Sequence, residues 1–209
     1  MNTFETGAVI AVVVVLVLYH LLLAYWIRTS PAVTIIGQSR NLRRRWVESI
    51  VAERRDILAV QTLRNWTMAA SLLASTAVLL ICGIGSFLLT AERLPILADR
   101  LNYFGSAGEH MLVVKLMVLL FTLIFAFVNF TLAIRYFNHA SFDINAPAQD
   151  IDVVGLATRL LDRATFHYTL GMRGFYLFVP AALWLFGPTW LLLGTLGLLL
   201  GLWRLDRLG

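Results

Sequence analysis

The chain reads as an all-α protein, a four-span transmembrane helical bundle with amphipathic interfacial helices in the cytoplasmic loops, and three observations carry that reading. Of 209 residues, 59% are hydrophobic and 14% charged, against a charged fraction of about 25% in soluble domains. Four apolar runs exceed twenty residues, the length a helix rising about 1.5 Å per residue needs to cross a hydrocarbon core of about 30 Å. The arginines gather between the runs, as expected of loops retained on the cytoplasmic side. One domain over residues 1–209 uses the whole length, since four spans and their loops leave little for a separate soluble module.

The first span covers residues 7–27, an apolar run interrupted by Tyr19, His20 and Tyr25. No Lys or Arg precedes it and Glu5 does, so it is read as a retained helix and not as a cleaved signal peptide. Residues 28–64 begin with Ser30-Pro31 and then place Leu42, Trp46, Ile50, Ile57 and Val60 at roughly helical spacing among arginines, the pattern of a helix lying in the membrane interface. The second span, residues 66–89, is rich in Ala, Ser and Gly. Small side chains let another helix approach closely, so this span is expected to be the packing hub.

Leu94, Leu97, Leu101 and Phe104 predict a short amphipathic helix in the outer loop. The third span covers residues 111–134 and contains Lys115 and Asn129. A second interfacial helix is expected from Asp150, as N-cap, to about Leu170. The fourth span, residues 175–203, would be about 44 Å long if straight, which calls for a bend. Gly187-Pro188 supplies it, because proline removes a donor and crowds the preceding turn; a re-entrant hairpin at the same dipeptide is the rival arrangement. Twelve basic residues fall in or beside the loops after spans one and three, against four in the loop after span two and the C-terminal segment. That bias predicts both termini outside, in a multi-pass protein of the bacterial inner membrane.

Several stretches, RRRWVESI (Arg43–Ile50), ILAVQTLRNWTMAASLLAST (Ile57–Thr76), Lys115, IRYFNH (Ile134–His139) and LWLFGP (Leu183–Pro188), together resemble a family of plant and bacterial membrane proteins known as domain of unknown function 599. The resemblance spans nearly the whole chain. It implies an integral membrane protein of that type and brings no activity, cofactor or catalytic residue with it.

The residues themselves nominate few sites. His20, Ser71 and Asn129 fall at similar depth from the arginine-rich side and form a candidate intramembrane polar layer, because stranded donors in hydrocarbon seek partners across helices. Arg43, Arg44, Arg45, Arg54 and Arg55 are candidate contacts to anionic lipid headgroups. Lys115 is a candidate outer-boundary cation, snorkelling beside Glu109 or facing a hydrated path. His139 and His167 would make a metal or acid–base site if they met beside Asp143. The lone Cys82 excludes an internal disulfide. No phosphate-binding loop, dinucleotide fingerprint or zinc-protease motif is present, so no cofactor and no catalytic residue is assigned. Nucleic acid is not expected as a partner, since no recognised reading motif accompanies the positive charge. Two functions follow: a homo-oligomer acting as a channel or transporter, or a non-conducting scaffold that binds anionic lipid. An enzyme ranks third.

Overall fold

A computed structural model describes residues 3–30, 35–90, 109–145 and 152–206. Its helices are α1 (Thr3–Thr29), α2 (Ile35–Glu53), α3 (Asp56–Leu89), α4 (Glu109–Ile144), α5 (Val153–Leu183) and α6 (Pro188–Asp206), with a 3-10 turn at Trp184–Phe186. The described residues contain no strand. The all-α class therefore stands, but five helices are long and apolar enough to cross a membrane, not four.

The fifth span arises where a bend was expected. Gly187 takes φ 137° and ψ 166°, a backbone conformation essentially confined to glycine. Pro188 follows as the first residue of α6, a position where its missing N–H is an orphan donor anyway. Here the chain reverses instead of kinking. Across the reversal, a Cβ added at Gly194 would stand 2.7 Å from Leu183 Cδ1 and 3.2 Å from the Cα of Pro180, so α6 runs back closely along α5. Neither arm is short, so the hairpin gives two helices long and apolar enough to cross. The helix expected from Asp150 to Leu170 is no separate element. It is the first half of α5, entered through Asp152, whose Oδ1 accepts the Gly155 N–H at 2.8 Å; Asp150 lies outside the described residues, as does the helix expected around Leu94–Phe104.

Helices α3 and α4 also outrun their apolar stretches, with candidate spans at Ile57–Leu89 and His110–Ile144. The reason is a core at the arginine-rich end. Val47 and Ile50 of α2, Leu63 of α3, Phe137 and Ile144 of α4 and Leu161 of α5 are all buried in one cluster, so these helices continue past the polar boundary to complete it. α2 is thus docked on the bundle through Val47 and Ile50, while Leu42 is 61% exposed. Burial of each such side chain contributes about 1.5–3 kcal/mol.

The packing hub is α4, not α3. It is the helix against which both α3 and α5 make their most extensive contacts. On the α5 side the closest approach is at Gly171 and Gly174, where an added Cβ would meet the Phe130 ring at 2.7 Å and Ala126 Cβ at 2.9 Å. On the α3 side Ala70 and Ala74 pack against Ala126 and Phe130. The expected small-residue face of α3 is therefore used in part, whereas Gly83 and Gly85 meet nothing within 4 Å.

Candidate functional site

Helix α1 packs chiefly along α6, through Val12 against Leu191 and through Leu23 against Leu202. Two polar clusters fasten it, one buried near its start and one part-buried around Tyr19. At one end Glu5, fully buried, faces Lys115 Nζ at 3.1 Å, with the two side chains 0% and 3% exposed. Trp184 Nε1 donates to Glu5 Oε1 at 3.1 Å, and the Lys115 ammonium stands 5.6 Å from the centre of the Trp184 ring. At the other end Asp206 Oδ2 accepts from the Tyr19 hydroxyl at 2.6 Å and from Arg173 Nη2 at 2.9 Å. Glu5 and Tyr19 are about 21 Å apart along the helix.

Lys115 is accordingly neither a snorkelling cation nor a charge in open water, being 3% exposed and paired with Glu5; the side chain of Glu109 lies outside the described residues. Burial makes the pairing obligatory, because an uncompensated ion in the bundle costs several kcal/mol. The Asp206 cluster has a second consequence. It puts the end of α6 beside Tyr19, Arg173 and, through the Trp26–Trp203 ring pair at 5.4 Å, the end of α1. The Thr3 end of α1 and the Asp206 end of α6 therefore lie at opposite ends of the bundle.

The three residues of the expected polar layer are not brought together. His20 Nδ1 donates to the Leu16 carbonyl of its own helix at 2.7 Å. Asn129, 5% exposed, donates through Nδ2 to the Phe125 carbonyl at 2.9 Å, and its Oδ1 accepts from His167 Nδ1 at 2.9 Å. An amide oxygen only accepts, so the pairing makes Nδ1 the protonated nitrogen of His167. The His167 ring stacks on Tyr136 at 5.5 Å. Ser71, on α3, lines a groove facing Phe137 and Asn138 of α4. The His139–His167 site is likewise not formed, since His139 is exposed and His167 is engaged with Asn129. Among the described residues no group of three His, Cys, Asp or Glu is placed to hold a metal ion.

The five arginines divide. Arg43 reaches α5, its Nη2 standing 2.8 Å from Asp162 Oδ1, while Arg40 Nε is 3.1 Å from Oδ2. Arg44 pairs with Glu48 one turn on, and Arg55 with Glu53. Arg45 and Arg54 are exposed and make no ion pair with a described residue. Arg54 has φ 51°, and the Arg55 N–H closes back on the Ile50 carbonyl at 3.1 Å. That is the left-handed helix ending usually given to glycine. It turns the chain sharply from α2 into α3 and sets Arg54 and Arg55 around a shallow depression with Ile57, Leu58 and Gln61.

Sequence motifs, membrane-length helices and the comparison with protein families converge here. The family described as protein of unknown function, DUF599, matches residues 7–208. This chain belongs to the DUF599 family. No curated protein and no solved structure matches it. For this DUF599 member the integral, multi-pass architecture is thus supported from two directions, its helices and its family.

Sequence reasoning missed Glu5, Tyr19, Asp162, Arg173, Trp184 and Asp206. A signal was available for two of them. Glu5 and Asp206 are lone carboxylates at the edges of apolar runs, where an acid without a basic partner would be costly. Their partners, on helices distant in sequence, were not legible.

Proposed function

We propose that this protein is a non-conducting membrane protein that gathers anionic lipid at its arginine-rich end, with that end on the cytoplasmic side of a bacterial inner membrane. The observation that carries the reading is the α2–α3 corner. There Arg54 and Arg55 stand beside Ile57, 76% exposed, and Leu58, 44% exposed. Cations and large apolar side chains presented together match an interface of headgroups over acyl chains. Such a basic segment gains about 1 kcal/mol per charge near an anionic surface. Orientation follows from the same bias. Arg204, which the sequence set against it, sits near the end of α6 beside Trp203, on the arginine-rich end, so the N-terminal end of α1 is outside and the C-terminal end of α6 inside.

The residues that motivated a conducting path support it less once their partners are known: Lys115 faces Glu5, Asn129 faces His167, and His20 bonds to its own helix. Self-association stays within the proposal. Gly197 and Gly201, one turn apart on α6, meet nothing within 4 Å, which leaves room for a second copy to approach. The test is lipid retention by the purified protein in native mass spectrometry. Phosphatidylglycerol should be kept in preference to phosphatidylcholine, and Arg45→Gln with Arg54→Gln should lower the number of anionic lipids retained. Equal retention of the two lipids by the unaltered protein would refute the reading.

A further inference from the structure

Between α3 and α4, at the arginine-rich end, runs a groove of about 420 Å³, within the range of roughly 300–1,000 Å³ typical of small-ligand sites. Its polar lining is Arg64, Thr67 and Ser71 from α3 with Asn138 and Ser141 from α4. Arg64, Thr67 and Ser71 recur at helical spacing and so share one face.

None of these five side chains makes a hydrogen bond or ion pair with a described residue, and all five line one groove. Other polar side chains are settled locally or in ion pairs. Thr76, Thr131, Thr169 and Thr195 each donate to a carbonyl three or four residues back on their own helix. Arg40, Arg43, Arg44, Arg55 and Arg173 are all ion-paired. In the groove, a guanidinium, a carboxamide and three hydroxyls are left together facing one space, and no acidic residue lines it. Such a donor set recognises an anion with several acceptor oxygens.

The setting narrows the anion. Arg64 is the last charged residue of α3, and residues 65–89 contain none, so the guanidinium stands where hydrocarbon begins. From Arg64 to Ser71 the groove descends about 10 Å into the apolar zone. Its walls there are Met68, Leu63 and Phe137, with Met68 63% exposed. We infer that this groove binds one anionic glycerophospholipid, its phosphate held by Arg64 and Asn138, its ester carbonyls by Thr67 and Ser71, and an acyl chain along Met68. Along α3 the cation precedes the hydroxyls, as phosphate precedes the esters in such a lipid, and Met68 lies between Thr67 and Ser71, level with the start of the chain. A free phosphate would use only the first of these.

The inference rests on the lipid-binding reading above for its class of ligand, and on different residues for its site. The test is native mass spectrometry of the full chain in detergent, titrated with phosphatidylglycerol, with thermal unfolding in the same detergent to confirm that each variant is folded. The unaltered protein should hold a first phosphatidylglycerol more tightly than those that follow. Arg64→Gln should weaken that first lipid by about tenfold or more, the loss of a charge-assisted contact. Ser71→Leu, which fills the groove without changing charge, should weaken it as well. Arg45→Gln with Arg54→Gln should reduce later lipids and spare the first. If folded Arg64→Gln and Ser71→Leu both keep the first lipid at unaltered affinity, the groove is not its site. If the corner variants alone release it, the broader lipid reading survives and this one falls. If soluble glycerol phosphate displaces the lipid at equal concentration, the apolar wall contributes nothing and the assignment to a phospholipid is overturned.

Discussion

Removing the charge of Glu5 while keeping its shape, by Glu5→Gln, should loosen the first half of α1. The Lys115–Glu5 pair is separated by 3.1 Å with both side chains essentially inaccessible. At an effective dielectric of about 20 the attraction is about 5 kcal/mol, in line with the roughly 3–5 kcal/mol lost when one member of a buried pair is deleted. The amide oxygen of glutamine still accepts from Trp184 Nε1 and from the Lys115 ammonium, and that retained hydrogen bonding offsets about 1–2 kcal/mol of the lost attraction. A net loss of about 3 kcal/mol is expected, roughly a hundredfold in the opening equilibrium. Because α1 packs chiefly against α6, the loss should appear as local opening of α1 before global unfolding. Hydrogen exchange in detergent micelles reads it directly. Amides of α1 from Ile10 to Leu16 should exchange about a hundredfold faster in Glu5→Gln, with α4 unchanged. Adding Lys115→Met, which removes the stranded ammonium, should recover much of the protection. If the single variant exchanges within about threefold of the unaltered protein, or if the double variant is no better protected than the single, the cluster does not hold α1 and the reasoning fails.

At the other end, Asp206→Asn takes the charged acceptor from both Tyr19 and Arg173 and should cost about 1.5–3 kcal/mol, seen as faster exchange at the C-terminal end of α6. Gly174→Ala should lower stability by about 1–3 kcal/mol, because the added methyl meets Ala126 Cβ at 2.9 Å and the Thr122 carbonyl at 3.2 Å; thermal unfolding in detergent measures this, and no loss would mean α4 and α5 are not so close. Arg54→Gly should stabilise by up to about 1 kcal/mol, since it relieves an arginine at φ 51°, and a loss of stability would show that the Arg54 side chain supports the corner. In a background without Cys82, cysteines placed at Asn41 and Leu205 should both be shielded from an impermeant reagent in intact cells. Labelling of one and not the other would contradict their placement at one end of the bundle.

The sequence by itself determined that this is a helical membrane protein with one strongly basic side. Those properties are sums over composition and run length, which need no knowledge of which helix meets which. It also located the Gly187-Pro188 break, since both residues act through their own backbone. Whether that break bends a span or reverses it was decided by tertiary contact. Gly194 lets α6 lie against Pro180 and Leu183, and the reversal adds a span and carries the Asp206 end to the arginine-rich side. The extension of α3 and α4 beyond their apolar runs depended likewise on the shared core around Phe137 and Leu161, whose members are scattered over four helices. The polar residues show the limit most plainly. His20, Ser71 and Asn129 were expected at one depth, but depth is one coordinate of three, and the fold gave them different neighbours. Lys115 was legible as a cation within a span, read as lying at its outer boundary, and Glu5 as an acid near a span edge. Only the packing of α1 over the outset of α4 placed them 3.1 Å apart, since a charge inside lipid fixes the need for a partner and the fold decides which partner arrives.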